Sequence, residues 1–96
     1  MSPLKGYDSI LQPPARLQVM ALLAQVSEAE FAKLRDMTAT SDSVMSKHLS
    51  ALGEAGYLTI RKTVTDGRNR TWVSITRAGR KSFDAHVQAL KRIVGG

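Results

Sequence analysis

The apolar positions of the chain recur with two periods, and the change from one to the other falls at Gly56. Before it, Met45, Leu49 and Leu52 are spaced i, i+4 and i+7, the signature of one buried helical stripe. The opposite side of that helix carries Ser43, Ser46, Lys47 and Ser50, which are short, polar and partly cationic. Ser41 is a natural N-cap, because its hydroxyl can accept from an orphan amide of the first turn. Gly56 ends the helix, since a residue without a Cβ takes the left-handed position beyond the C-cap at little cost. A helix with so slim an outer face lies close against a polar partner, and the floor of a DNA major groove is one such partner.

Upstream, Met1 to Gln12 forms an arm whose Leu4, Tyr7, Ile10 and Leu11 are too apolar for a free tail, so part of it packs. Pro13-Pro14 opens a first helix predicted to run to about Val26, with proline tolerated where no amide bond is lost. Val19, Leu22, Leu23 and Val26 make one stripe, and Leu17, Met20, Ala21 and Ala24 make a second. A helix apolar most of the way round is covered on more than one side. Ser27 and Glu30 have capping-box spacing and predict the start of a second helix, with Phe31 and Leu34 pointing inward and Met37 closing the stripe. The break at Thr38-Ala39-Thr40 is short enough for a helix-turn-helix.

Beyond Gly56 the pattern alternates. Leu58 and Ile60 alternate with Thr59 and Arg61, predicting a strand to Val64. Thr65 to Asn69 has turn composition, with Gly67 free to take positive φ. Arg70 to Ile75 is the return strand, placing Val73 and Ile75 on one face and Trp72 on the other, packed on the last helix or a second subunit. Thr76 caps that last helix, predicted from Arg77 to about Val94. Its stripe is Phe83, Val87, Leu90 and Val94, widened by His86 and Ile93. The later part of this helix exceeds what a three-helix core needs. Together with Leu17 and Met20 of the first helix, this stripe is the expected homodimer interface.

Composition narrows the function. The hydrophobic share of 43% is that of a globular domain. Cysteine is absent, which excludes disulfides and thiolate metal sites. His48 and His86 stand alone, without ligand spacing, and read as packing or capping residues. No metal or cofactor is expected. No apolar run reaches membrane-spanning length, and the N-terminus lacks a signal-peptide pattern, so a cytoplasmic protein is expected. The net charge of +6 is local: Arg61, Lys62, Arg68, Arg70, Arg77, Arg80 and Lys81 face a single acid, Asp66, while the remainder of the chain is balanced. Such an excess points to a polyanionic partner, because each neutralised phosphate releases condensed counterions. There is no nucleophile-elbow motif and no phosphate-cradling glycine loop. Glu28, Glu30 and Asp36 read as first-turn and surface carboxylates. An enzyme is not expected.

The order helix, helix, helix, strand, hairpin, strand, helix resembles the small winged helix-turn-helix transcriptional regulators related to the MarR and ArsR families. The resemblance runs roughly from Arg16 to Leu90. It rests on Phe31 and Leu34, on S-D-S-V-M-S-K-H-L-S-A-L-G-E-A-G-Y-L from Ser41 to Leu58, on D-G-R from Asp66 to Arg68, and on T-R-A-G-R from Thr76 to Arg80. It implies an α+β, mainly α, winged helix-turn-helix fold: a three-helix core, a β-hairpin wing and a C-terminal helix, in one domain spanning 1–96. It further implies a homodimer on double-stranded DNA, with a recognition helix at 41–55 in the major groove and a wing at 65–70 on the minor groove or backbone. The expected DNA-binding residues are Ser41, Asp42, Ser43, Ser46, Lys47, Ser50, Lys62, Arg68, Asn69 and Arg70. Lys47 reaches either a guanine edge or a phosphate. Val44 either meets a thymine methyl or packs. Asp42 either accepts from cytosine or helps to cap. Arg68 and Arg70 reach the minor groove, where negative potential favours a guanidinium, or the backbone. The chain departs from the pattern at Ala39, where such families often have glycine, and at Thr40, where an apolar residue is common. The cysteine pattern of metal-sensing relatives is missing, so metal sensing is not implied. Two other readings compete: a winged helix used for protein contacts, and a non-specific architectural DNA-binding protein.

Overall fold

The computed structural model describes residues 4–95. Met1–Pro3 of the expected arm and Gly96 lie outside the described residues. Four helices are present among them: α1 (Pro14–Leu23), α2 (Phe31–Met37), α3 (Asp42–Glu54) and α4 (Arg77–Ile93). Three strands, β1 (Ala29–Glu30), β2 (Leu58–Thr65) and β3 (Arg68–Ile75), form an antiparallel sheet in the order β1-β3-β2. A short 3-10 helix, Ser9–Leu11, precedes α1. This is a winged helix-turn-helix.

The helix boundaries follow local chemistry. Ser41 Oγ accepts from the Val44 amide at 3.2 Å, and Thr76 Oγ1 accepts from the Gly79 amide at 2.9 Å. Both α2 and α3 close with the same paired bonds. For α3, the amides of Gly56 and Tyr57 donate to Gly53 and Leu52 at 3.0 Å each, with Gly56 at φ 82°. For α2, the amides of Ala39 and Thr40 donate to Asp36 and Arg35 at 3.2 and 3.1 Å. The left-handed residue there is Ala39, at φ 54°. The helix-turn-helix joint therefore carries a Cβ where glycine would be unstrained.

The core is Leu11, Val19, Met20, Leu23, Leu34, Met45, Leu49, Leu52, Leu58 and Val73. Leu11 confirms that the arm packs. The arm is anchored through Asp8: its carboxylate accepts from the hydroxyl of Tyr57 and, at 2.9 Å, from Ser82, and its amide donates to Nδ1 of buried His86 at 2.9 Å. Burial alone would raise the Asp8 pKa. The bonds from Tyr57, the Ile10 amide and Ser82, with help from His86, more than offset it and hold the carboxyl below its ordinary value of 3.8. His86 lies below its ordinary 6.5 because burial disfavours the imidazolium, with Asp8 opposing.

Several expectations are corrected. The first helix ends at Leu23, and Val26 is 46% exposed. Ser27 and Glu30 make no capping box: Ala29 and Glu30 pair with Val73 and Trp72 of β3, and α2 starts at Phe31 without a side-chain cap. Spacing suited to a cap is overridden by a partner strand. Met37 is 54% exposed and does not close the stripe. Met20 is fully buried within one chain, because α1 is covered by the arm, α3, α4 and β3, so it is unavailable to a dimer interface. On α4 the covered line is Gly79, His86 and Ala89; Phe83, Val87 and Leu90 are half-buried, and Val94 is exposed. The hairpin loop is only Asp66-Gly67, both at positive φ (53° and 74°), so Arg68 and Asn69 belong to β3. Asp-Gly in such a two-residue turn matches the twist of its flanking strands.

Candidate nucleic-acid interface

Burial of Met45, Leu49 and Leu52 fixes the rotation of α3. The other side then carries Asp42, Ser43, Val44, Ser46, Lys47 and Ser50, all exposed, with the capping Ser41. Val44 is on the open side but only 42% exposed, so it is partly covered. Asp42 neither stands free nor supplies the cap. Its carboxylate pairs with Arg35 Nη1 at 2.7 Å, and Arg35 also binds Asp36 at 2.9 Å. These two carboxylates, Asp36 foremost, raise the pKa of the guanidinium. Arg35 therefore neutralises the acid at the start of α3, where a phosphate would otherwise be repelled.

His48, on the flank of α3, accepts from Arg16 Nε on α1 at 2.9 Å. Burial, with the Arg16 charge adding to it, holds its pKa below 6.5. The imidazole is thereby kept as an acceptor that ties α3 to α1. Its role is orientation, as the sequence implied by packing.

The strand register sorts the hairpin residues between its two faces. Side chains alternate along a strand, so Ile60, Lys62 and Val64, with Val73, Thr71 and Asn69 opposite them, share one face. That face looks toward α3: a cleft of about 240 Å³ lies between them, lined by Phe31, Ser46, Leu49, Ser50, Ile60, Lys62 and Thr71. The cleft floor is apolar, while its rim carries three hydroxyls and an ammonium. The opposite face holds Arg61 and Trp72, then Arg70, then Arg68 at the exit of the turn.

The cations on that second face are not equivalent. Arg61 Nη2 binds both oxygens of Glu28, at 2.8 and 2.9 Å, and lies 6.0 Å from the Trp72 ring centre. Arg70 Nη1 binds Glu30 at 3.1 Å. Arg68 is exposed and, like Lys47 and Lys62, has no ion pair among the described residues. The expected exposed loop of Arg68, Asn69 and Arg70 is therefore corrected to a strand whose Arg70 is tied down. Trp72 is half-buried, on the sheet face away from α3. Its indole donates to Thr63 at 3.3 Å, and it lines a groove with Leu22, Val26 and Met37.

The sequence reading of Glu28 and Glu30 as first-turn and surface carboxylates misses their pairing with Arg61 and Arg70. Their signal was present: Glu28-Ala29-Glu30 alternates, with the acids on one side and the apolar residue on the other. The strand period was hidden by the capping-box spacing that contains it.

Three helices, a hairpin and an open polar recognition face define the winged-helix class of DNA-binding domains. Residues 15–94 match the model of the winged helix DNA-binding domain family, and the chain belongs to it. It is 29% identical over 90 residues to the uncharacterized protein MJ0432 of Methanocaldococcus jannaschii, covering 94% of each chain. Among solved structures, it resembles the transcriptional regulator homologue protein of Pyrococcus horikoshii OT3, with a TM-score of 0.83 and 28% identity, over 91% of this chain and 86% of that one. The transcriptional regulator Tm0710 of Thermotoga maritima shares the fold at a TM-score of 0.70 and 18% identity; the match covers 86% of this chain and 58% of that one. The structural neighbours are MarR-family transcriptional regulators. No helix among the described residues is long and apolar enough to cross a membrane.

Proposed function

We propose that the protein is a sequence-specific transcriptional regulator that binds double-stranded DNA as a homodimer. One observation carries the reading. Ser43, Ser46, Lys47 and Ser50 are all exposed on α3, and Lys62 of the wing lines one cleft with Ser46 and Ser50. In this reading α3 enters the major groove, Lys47 reads a guanine edge or a phosphate, and Lys62 with Arg68 holds the flanking backbone. The likeness to a regulator homologue over nearly the whole chain supports the regulatory role. The dimer uses Leu17 and the α4 line Phe83, Val87, Leu90 and Val94, with Ile93 added, because these stay half-buried or exposed in a single chain. Such a regulator works in the cytoplasm and performs no catalysis.

The test is selection of bound duplexes from a random pool at physiological salt. Recovery of a consensus with two half-sites about one helical turn apart is the expected result. Recovery of no consensus, with binding to every duplex alike, would replace this reading by an architectural role, since specific binding is tighter by about a thousandfold or more. Absence of any duplex binding would favour the protein-contact reading.

A further inference from the structure

The wing carries its cations on two faces, and only one of those faces looks toward α3. Lys62 is on that face; Arg61 and Arg70 are on the other, and both are already paired. The two pairs differ in how they are held. Glu28 lies in the connection between α1 and α2. Glu30 is in β1, in register with Trp72 of β3, two residues along the strand from Arg70. The sheet itself thus sets the distance between Glu30 and Arg70. Both side chains are about one-third exposed, at 31% and 35%, and Arg70 Nε is buried with no hydrogen-bond partner among the described residues. The guanidinium is drawn along the sheet toward β1 and does not extend from it.

We propose that Arg70 is a positioning residue, and that Glu30 and Arg70 act together as a strut setting the tilt of the wing against the helical core. This rests on the reading that α3 and the wing bind one duplex. The strut does two things. It delivers Lys62 beside Ser46 and Ser50 at one fixed spacing, so that a single phosphate can meet both elements. It also neutralises one cation of the wing that a phosphate would otherwise attract. An unpaired cation adds affinity for every duplex alike, so pairing it favours discrimination.

The experiment is a charge swap, read on the duplex selected by the wild-type protein and on random duplex across a salt series. Arg70→Glu sets two acids against each other; it should weaken binding to the selected duplex about tenfold or more. The double variant Glu30→Arg/Arg70→Glu restores the pair with reversed polarity and should recover affinity to within about threefold. Arg70→Gln, which creates no like-charge contact, should keep the wild-type salt slope while narrowing the ratio between selected and random duplex. Glu30→Gln releases Arg70 and should steepen the slope on random duplex by about 0.9, as one phosphate is gained. Thermal melts of all four variants report whether each is folded.

If Arg70→Gln flattened the slope by about 0.9 and the swap failed to restore binding, Arg70 would be a direct DNA contact and the strut would be wrong. If the wild-type protein bound no duplex at all, the reading beneath it would fail instead. The two failures are distinct.

Discussion

Replacing Gly79 by alanine tests how α4 is joined to the core. Gly79 is buried in the first turn of α4, and a Cβ there would lie 2.2 Å from the carbonyl oxygen of Tyr57 and 3.0 Å from its Cα. These are backbone atoms, so no side chain can swing aside. The same turn is held by three short links: the Thr76 amide to the Tyr57 carbonyl at 3.0 Å, the Thr76 hydroxyl to the Gly56 carbonyl at 2.6 Å, and the Gly79 amide to Thr76 Oγ1 at 2.9 Å. To admit the methyl group, α4 must move off the turn by more than an ångström. Overpacking of this kind costs about 1–3 kcal/mol. Two lost hydrogen bonds add about 1–3 kcal/mol. The sum is a large part of the roughly 5–15 kcal/mol that holds a domain together. At about 4–8 °C per kcal/mol for a chain of this size, Gly79→Ala should melt about 8 °C lower or more. Far-UV circular dichroism on heating measures it, with Ala78→Gly at the exposed neighbouring position as the control for helix propensity. A Gly79→Ala protein melting within about 2 °C of wild type would refute the packing argument.

Lys47→Ala, assayed on the selected duplex, relaxes one base position if the ammonium reads guanine; it weakens all duplexes alike and lowers the salt slope if it meets a phosphate. Unchanged binding in both respects would remove Lys47 from the interface. Ala39→Gly relieves a left-handed alanine: strain of about 1–2 kcal/mol is lost against about 0.4–1 kcal/mol of added chain entropy, so the melting temperature should rise by a few degrees. A fall would show the turn to be unstrained. Stability should also decrease as pH falls below about 6.5. His48 and His86 both have folded pKa values below 6.5, so the unfolded chain takes up protons first and the folded state loses ground. Melting at pH 7.5 and 5.5 checks this, and His48→Asn with His86→Asn should flatten the difference. Asp8 adds a second loss only at pH values below its ordinary 3.8, as its carboxyl protonates in the folded state.

Features legible from the sequence were those whose causes lie within one turn of chain. Ser41 and Thr76 cap their helices through amides three residues ahead, and Gly56 ends α3 through its own conformation. Met45, Leu49 and Leu52 declare the orientation of α3 by spacing alone. The capping-box spacing of Ser27 and Glu30 satisfied a local rule, yet Val73 and Trp72, distant in sequence, claimed that segment as a strand. Arg70 reads as a free charge in the sequence because its partner, Glu30, belongs to another element. Of the α1 residues that read as an intermolecular face, Met20 meets its neighbours inside one chain. Alternation such as that of Glu28-Ala29-Glu30 marks a strand but does not name its distant partner. The polar face of α3 was readable because it is defined by what is not buried.

Trp72 is the single tryptophan of the chain, and it sits midway along the hairpin where pairing with β1 ends, beside Arg61 and with its indole on Thr63. The molecule therefore carries its own optical gauge at the joint where the wing would pivot. Emission at the tryptophan band would report any change in that joint when duplex is added, with no dye attached and no background from a second indole.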